Sequence, residues 1–132
     1  MSRETVDLAN RAYDAIARGD FERFLALTGP DTEIISRYSA LEGASFKGRD
    51  GVRRWWQNLH SVFPDFHIEV EEMRDFGNSI LAVVTIRGHG TGSGAPFEER
   101  VWQLTDWRDG KCVWWRTYGT QAEAVEALQL RS

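Results

Sequence analysis

The sequence predicts an α+β fold in which helices pack on the concave face of a curved mixed or antiparallel sheet. The first reason is the order of patterns: three helical stretches with one early strand precede a run of strands and a final helix. The second is an Asp-Gly turn at Asp109–Lys111, which joins the strand-like stretches Val101–Asp106 and Cys112–Tyr118. The third is aromatic bulk, because several of the 6 Trp, 7 Phe and 3 Tyr lie where sheet and helices would meet.

Two stretches carry apolar residues at helical spacing. The first covers Arg3–Arg18, and the second follows Asp50, which we expect to cap it. Between them, Asp20 is predicted to cap a short helix that runs through Leu27. The apolar positions are Val6, Ala9, Tyr13 and Ile16 in the first stretch, and Val52, Trp55, Trp56, Leu59 and Phe63 in the second.

The remaining pattern predicts strands and their connections. Gly29–Asp31 predicts a turn, Thr32–Tyr38 a first strand and Ser39–Arg49 a loop without a period. Alternation over Phe66–Val70 and the apolar run Ile80–Arg87 predict the next two strands.

A glycine-rich segment, Gly88–Gly94, separates these strands from the strand Phe97–Trp107. A dinucleotide-binding loop needs a helix N-terminus after the glycines, and here another strand follows, so we interpret the segment as a flexible hairpin. Thr120 and Glu123 form a capping box before a last helix, Ala124–Leu128.

Composition limits the classes of partner. The chain has 132 residues, which suits a single domain over 1–132, and 16 basic against 20 acidic residues give a net charge of −4. That balance, with Arg53-Arg54 as the one basic pair on a helix, argues against a nucleic-acid surface. Cys112 is the only cysteine, and no apolar run approaches the roughly 20 residues of a membrane span. We therefore expect a cytoplasmic protein with no membrane partner.

The three histidines do not predict a metal site. His60, His67 and His89 have no ligand spacing and no acidic partner in a recognised motif, so we expect neither a metal nor a cofactor. His89 stands apart, because it follows Arg87 at an i, i+2 spacing at the end of a strand, which puts both side chains on one face. They could be a solvated surface pair. The functional hypothesis is that His89 moves a proton next to a carbonyl while Arg87, or Arg100, holds the oxygen.

Several loose motifs recur in an order that is specific for a fold. With them, the chain from about Glu4 to Leu130 resembles the nuclear transport factor 2-like superfamily, in particular its SnoaL-like (polyketide cyclase and ketosteroid isomerase-like) branch. The resemblance implies a cystatin-like α+β barrel shaped as a cone. The motifs are Tyr13, Gly19–Phe21, Gly48–Val52, Phe63–Phe66, Gly88–Gly94 and Asp109–Lys111.

The resemblance does not imply one reaction, because the superfamily holds isomerases, cyclases, dehydratases, epoxide hydrolases and non-catalytic domains. The ketosteroid isomerase acids are not matched: approximate alignment puts Ser36 at the general base, and Arg100 or Trp102 at the protonated Asp. The acidic set of limonene-epoxide hydrolases is not matched either, since Thr117 stands at one Asp and His89, or Arg87, at the other.

The sequence thus predicts a pocket with basic and hydroxylic groups, suited to a small, partly apolar carbonyl compound. An isomerase, cyclase or lyase is one interpretation, and a non-catalytic binding or dimerisation module with a filled aromatic core is the other. A homodimer is expected through an outer sheet face formed by Trp114, Arg116 and Tyr118. Apart from Arg87 and His89, the predicted pocket residues are Tyr13, Ser36, Tyr38, Trp55, Phe63, Arg100, Trp102, Trp115 and Thr117.

Overall fold

The structure, a computed structural model, describes residues 2–37 and 44–131 as four helices and one six-stranded sheet. The helices are α1 (Ser2–Arg18), α2 (Phe21–Ala26), α3 (Gly48–Val62) and α4 (Gln121–Arg131). The strands are β1 (Thr28–Ile35), β2 (Ser45–Lys47), β3 (His67–Phe76), β4 (Ser79–His89), β5 (Pro96–Arg108) and β6 (Lys111–Tyr118).

The sheet has the strand order β2-β1-β6-β5-β4-β3. Strand β1 pairs with β6 in parallel, and the other neighbours are antiparallel, so the sheet is mixed, which is one of the two predicted arrangements. Strands β1 and β6 lie far apart in the sequence, and the helix and strands between them provide the long connection that a parallel pair requires. The predicted α+β class is confirmed.

The main core lies between the sheet and the first three helices. The predicted stripe of α1 is buried at Ala9, Tyr13 and Ile16, and α3 buries Trp55 and Leu59. Burial of each large side chain of this kind stabilises the fold by roughly 1.5–3 kcal/mol. From the sheet, the core receives alternate residues of the central strands: Ile80, Ala82, Val84 and Ile86 of β4, Val101 and Trp107 of β5, and Cys112 and Trp115 of β6.

The fourth helix packs on the opposite face of the sheet, which we call the outer face. Ala124 of α4 is fully buried there, in a second apolar cluster with Leu104 and Tyr118. Trp114 belongs to the same cluster and carries the guanidinium of Arg131 3.7 Å from its ring centre. The predicted outer aromatic surface does point away from the core, but α4 covers much of it, because β6 presents aromatic rings on both faces and both need cover.

Three local predictions were wrong. Gly29–Asp31 lies inside β1 rather than in a turn, in the stretch where the pairing with β6 shifts register. Part of the predicted loop is β2, whose Phe46 pairs with Ile34. Helix α3 begins at Gly48, so Asp50 lies in its first turn and does not cap it. The first two errors share one cause: pairing with another strand is invisible in a local pattern.

The other two caps are as predicted. The Asp20 carboxylate accepts a hydrogen bond from the backbone N–H of Arg23, at 3.2 Å. The Thr120 hydroxyl accepts one from the backbone N–H of Glu123, also at 3.2 Å, and donates to that residue's carboxylate. Both caps satisfy N–H groups that the first helical turn leaves unpaired.

Gly51 lets α3 lie directly on β2, and this contact is testable. A Cβ at Gly51 would lie 2.7 Å from the carbonyl carbon of Phe46, a backbone atom that cannot rotate away. We expect Gly51→Ala to lower the free energy of unfolding by about 1–3 kcal/mol, although alanine favours helices. Urea denaturation checks this, with the exposed Arg54→Ala as a control expected within about 0.5 kcal/mol of the wild type. A wild-type stability for Gly51→Ala would contradict the close packing.

Candidate functional site

A small cavity lies on the core face between α1, α3 and the sheet. Its volume is about 20 Å³, which leaves room for about one water molecule. Its polar lining is Ser36, Gln103 and Thr117, and Trp55 and Trp115 bring their large rings to its wall. The rest of the lining is apolar and consists of Ile16, Leu59, Phe66, Ile68 and Ile86.

Larger depressions exist, but they are open surface grooves. One of about 710 Å³ lies at the other end of the sheet, where Glu4, Asp75 and Asp109 line it. Another of about 680 Å³ lies on the outer face beside Leu81 and Leu128. Because neither groove encloses a ligand or gathers convergent polar groups from the core, the interior cavity is the better candidate site.

Two successive hydrogen bonds connect α1 to the cavity wall. The Tyr13 hydroxyl donates to Oε1 of Gln103 at 2.7 Å, and Nε2 of Gln103 donates to the Thr117 hydroxyl at 3.0 Å. Burial raises the pKa of Tyr13 well above its ordinary value of 10.0, so the phenol stays protonated. Because the Thr117 hydroxyl accepts from Gln103, its own proton remains available for a different acceptor.

Trp115 supplies a second polar group. Its side chain is only 1% exposed, and its Nε1 has no hydrogen-bond partner among the residues that the structure describes. The ring is held by Tyr13, with centres 5.2 Å apart, and by Phe24 at 5.7 Å. A buried donor without an acceptor costs about 1–3 kcal/mol. A bound molecule whose oxygen atom accepts a hydrogen bond from the indole N–H would therefore gain binding free energy.

The structure brings together part of the predicted pocket. Ser36, Trp55, Trp115 and Thr117 line the cavity, and Tyr13 reaches it through Gln103. Phe63 is buried beside Phe97, at a ring distance of 4.8 Å, and does not line the cavity. Tyr38 lies outside the described residues.

Arg87 and His89 share a face, as predicted, but it is the outer face, because the residues of β4 that face the core are Ile86 and its even-numbered neighbours. Arg87 is half exposed and donates from Nε to Glu98 at 2.6 Å and from Nη1 to Glu69 at 3.1 Å. These contacts do not place Arg87 in the cavity.

His89 forms hydrogen bonds with Asp65 through both its side chain and its backbone. The imidazole Nδ1 lies 2.6 Å from the Asp65 carboxylate, which also accepts the backbone N–H of His89 at 2.7 Å. These hydrogen bonds from the His89 side chain and backbone lower the pKa of Asp65 below its ordinary value. The pair ties the glycine-rich hairpin to the end of α3, on the surface, so the predicted proton-transfer role has no support from its position.

Arg100 and Trp102 also project from the outer face, which corrects their predicted place in the pocket. Arg100 pairs with Glu71 at 2.7 Å, while Val101 and Gln103 face the core. The reason is a bulge in the β5–β6 ladder. Near the turn, Arg108 pairs with Lys111 and Trp107 with Cys112, but beyond the bulge Asp106 pairs with Trp114, Thr105 with Trp115 and Gln103 with Thr117.

The extra residue that the bulge inserts changes which residues of β5 lie on the same face as Trp115 and Thr117 of β6. With a regular ladder, Leu104 and Trp102 would lie on the face of Trp115 and Thr117, and the bulge replaces them there by Thr105 and Gln103. Sequence reasoning therefore missed Gln103 and the core-facing Glu99. The sequence did contain a signal for the bulge. Trp107 and Cys112, next to the Asp-Gly turn, and Trp115, farther along the strand, are all residues that are expected to be buried.

The comparisons with known proteins agree with this fold. The family model of the SnoaL-like domain matches residues 9–115, which is most of the chain. The chain belongs to the SnoaL-like domain family. A comparison with curated proteins finds no match.

Solved structures show the same architecture. An NTF2-like protein of unknown function from Burkholderia pseudomallei K96243 has 20% identity and a TM-score of 0.78 over 93% of this chain and 95% of that chain. A Mycobacterium tuberculosis protein in complex with estradiol-17beta-hemisuccinate has 18% identity and a TM-score of 0.75 over 90% and 95%. A putative polyketide cyclase from Sinorhizobium meliloti has 22% identity and a TM-score of 0.71 over 84% and 93%. At these identities, the likeness establishes the fold.

The described ranges 2–37 and 44–131 contain no group of three or more His, Cys, Asp or Glu side chains placed to hold a metal ion. Their helices include none that is long and apolar enough to cross a membrane.

The buried thiol and phenol behind the cavity make stability depend on pH. Burial raises the pKa of Cys112 from 9.0 to about 12, so the stability it contributes is complete below pH 9.0 and is lost as the pH rises toward 12. We expect the free energy of unfolding to fall by about 1.4 kcal/mol per pH unit above this onset, with Tyr13 adding to the fall from about pH 10.

Urea denaturation between about pH 8 and about pH 10.5 measures this loss. Cys112→Ala should remove the fall in the free energy of unfolding that begins near pH 9.0, whatever the substitution does to stability at neutral pH. An equal slope in the variant and the wild type would show that Cys112 ionises as readily in the folded chain as in the unfolded one.

Proposed function

We propose that this chain is a small-molecule-binding SnoaL-like domain whose cavity receives the carbonyl end of a small, partly apolar compound. The observation that carries the proposal is that Trp115 lines the cavity and that its indole N–H is buried without a protein acceptor among the described residues. A carbonyl oxygen of the ligand supplies that acceptor and relieves the cost of the unpaired donor.

The cavity dimensions define which part of the ligand enters. About 20 Å³ accommodates a single oxygen-sized group, so the carbonyl lies inside and the rest of the molecule widens the cavity or extends toward its mouth. Trp55, Leu59 and Ile86 give the ligand an apolar wall. Thr117 gives the oxygen a second donor, held in place by the hydrogen bonds from Tyr13 through Gln103.

This arrangement supports an isomerase, cyclase or lyase. Two fixed donors on a carbonyl oxygen stabilise the negative charge that develops when an enolate forms, and an apolar site strengthens that effect. Two relatives in fold support the same class of ligand: one was crystallised with estradiol-17beta-hemisuccinate, and another is described as a putative polyketide cyclase.

A non-catalytic binding module is the second candidate, and one observation favours it. The described residues that line the cavity include no Asp, Glu or His, so no general base touches the space where the ligand would lie. In that case the aromatic wall and the two donors select a ligand without transforming it.

The binding claim is tested with phenylpropanedione, a small neutral aromatic diketone. We expect Trp115→Phe to weaken binding about three- to tenfold, because phenylalanine keeps an aromatic side chain but is smaller than the indole and has no N–H donor. Titration of the indole N–H signals by NMR, of all 6 tryptophans in the wild type and of the remaining ones in each variant, measures the dissociation constant. Trp114→Phe is the matched control, since the neighbouring ring lies on the outer face under Arg131 and should leave binding unchanged.

If phenylpropanedione leaves the Trp115 signal unmoved, or if the two variants weaken binding equally, the cavity is not the binding site. The same samples in heavy water distinguish the two candidates. An enolising enzyme accelerates deuterium exchange at the methyl group next to the carbonyl, and a binding module leaves the exchange at its uncatalysed rate.

We also propose a cytoplasmic homodimer. The outer face beyond α4 presents Trp102, half-buried, beside the ion pairs of Arg87 and Arg100 with acidic residues of the neighbouring strands. A two-fold axis would set this mixed-charge surface against its own copy. Light scattering at micromolar concentration should then give a mass near twice the 15.1 kDa of one chain, and a mass near 15.1 kDa contradicts the dimer.

A further inference from the structure

An ion pair lies at the mouth of the cavity, on the core side of the sheet. Arg37, just after β1, donates from Nε to Oε1 of Glu99 at 3.3 Å and from Nη2 to Oε2 at 3.2 Å. Both side chains are 30% exposed, so the pair is partly shielded from water. Glu99 faces the core side because the β5–β6 bulge and the β4 pairing place it beside Ile86, a residue of the cavity wall.

Gly119 holds the guanidinium of Arg37 at this place. A Cβ at Gly119 would lie 2.8 Å from Cζ, 2.8 Å from Nη1 and 2.9 Å from Nη2. Three nearly equal distances mean that the Cβ position lies over the flat face of the guanidinium rather than at an edge. The group is therefore stacked on the Gly119 backbone, with its N–H donors directed in its own plane, where a planar carboxylate is recognised.

The mouth and the cavity share residues. Ser36 and Thr117 line the cavity, and both also line a shallow depression of about 60 Å³ that includes Arg37 and Gly119. A molecule whose carbonyl meets Thr117 thus extends toward Arg37. The other charged groups lining this depression are Arg116 and Glu123, which contribute one positive and one negative charge.

The Arg37–Glu99 contact uses two guanidinium nitrogens, and both of its distances, 3.3 and 3.2 Å, lie above the usual range of about 2.7–2.9 Å for such bonds. On the outer face, by contrast, Arg87 and Arg100 each have one shorter contact, at 2.6 and 2.7 Å, besides a longer one at 3.1 and 3.3 Å. A guanidinium that holds Glu99 through two long hydrogen bonds in a partly dehydrated mouth is suited to exchange that carboxylate for another.

We propose that Arg37 is the anion-recognition residue of the pocket and that the ligand is a small keto acid. The ligand carboxylate replaces Glu99 on the guanidinium, while its carbonyl oxygen enters the cavity at Trp115 and Thr117. This inference rests on the proposed function and adds the charge of the ligand to it. Gly119 acts as a positioning residue, because it permits the guanidinium to lie over the backbone.

The experiment compares two probes that differ in one group. Phenylglyoxylate carries a carboxylate where phenylpropanedione carries a neutral acetyl group, and both keep the aromatic ring and the adjacent carbonyl. Indole N–H titrations with each probe give two dissociation constants for every variant. We expect the wild type to bind phenylglyoxylate about tenfold more tightly than phenylpropanedione.

Four variants assign the preference. Arg37→Met should abolish it, and Gly119→Ala should reduce it as strongly while the positive charge is retained, because the new methyl group displaces the guanidinium. Glu99→Gln should strengthen phenylglyoxylate binding severalfold, since it removes the competing carboxylate. Arg100→Met removes the same charge from the outer face and should leave both constants unchanged. The dispersion of the amide NMR spectrum verifies that each variant is folded.

The outcomes separate the two claims. If phenylpropanedione binds but phenylglyoxylate binds no better, or if Arg37→Met and Gly119→Ala keep the preference, the anion site is refuted and the binding function stands. If Arg100→Met reduces the preference as much as Arg37→Met does, net charge explains it and the inference fails. If neither probe moves the Trp115 signal, the proposed function fails and this inference fails with it.

Discussion

The packing of Trp115 joins the fold to the candidate site. Its strand, β6, lies between the parallel neighbour β1 and the antiparallel neighbour β5, and its ring meets Tyr13 of α1 and Phe24 of α2. The ring therefore contributes to the distance between the helices and the sheet, and it forms part of the wall of the candidate cavity. The same residue that fills the core also leaves a polar atom unpaired in it, among the described residues.

The side chains on the two faces of β6 lie in different surroundings. On the core face, hydrogen bonds and aromatic contacts produce a small, well-defined interior. On the outer face, Trp114 and Tyr118 would expose large apolar surfaces, and α4 covers them. Arg131 stabilises this cover twice, since its guanidinium stacks on Trp114 and also pairs with Asp106. Helix α4 follows β6 after only two residues, and the Thr120 cap starts it there.

Much of the fold was predictable from local sequence patterns. Tyr13 and Ile16 mark the buried stripe of α1, and Asp20 marks a helix start, because such signals depend on residues within one or two turns. The positions of the candidate site residues were only partly predictable. Ser36, Trp55, Trp115 and Thr117 do line the cavity, whereas Arg100 and Trp102 project from the outer face, and a role of the cavity in ligand binding stays a prediction. Both faces of β5 carry apolar residues, so alternation alone does not decide between them, and the bulge that decides depends on pairing with β6.

That bulge has a consequence for how the chain folds. A hairpin that forms first on the Asp109-Gly110 turn alone pairs in the regular way and sets Leu104 opposite Trp115. The native ladder sets Thr105 there, so a regular hairpin must slide by one residue before the core can close. The contacts of Trp115 with Tyr13 of α1 and Phe24 of α2 stabilise only the shifted alignment of the hairpin. Pairing of β6 with β1, a strand far from it in the sequence, favours the same alignment, because it sets Trp115 beside Ile34 on the core face.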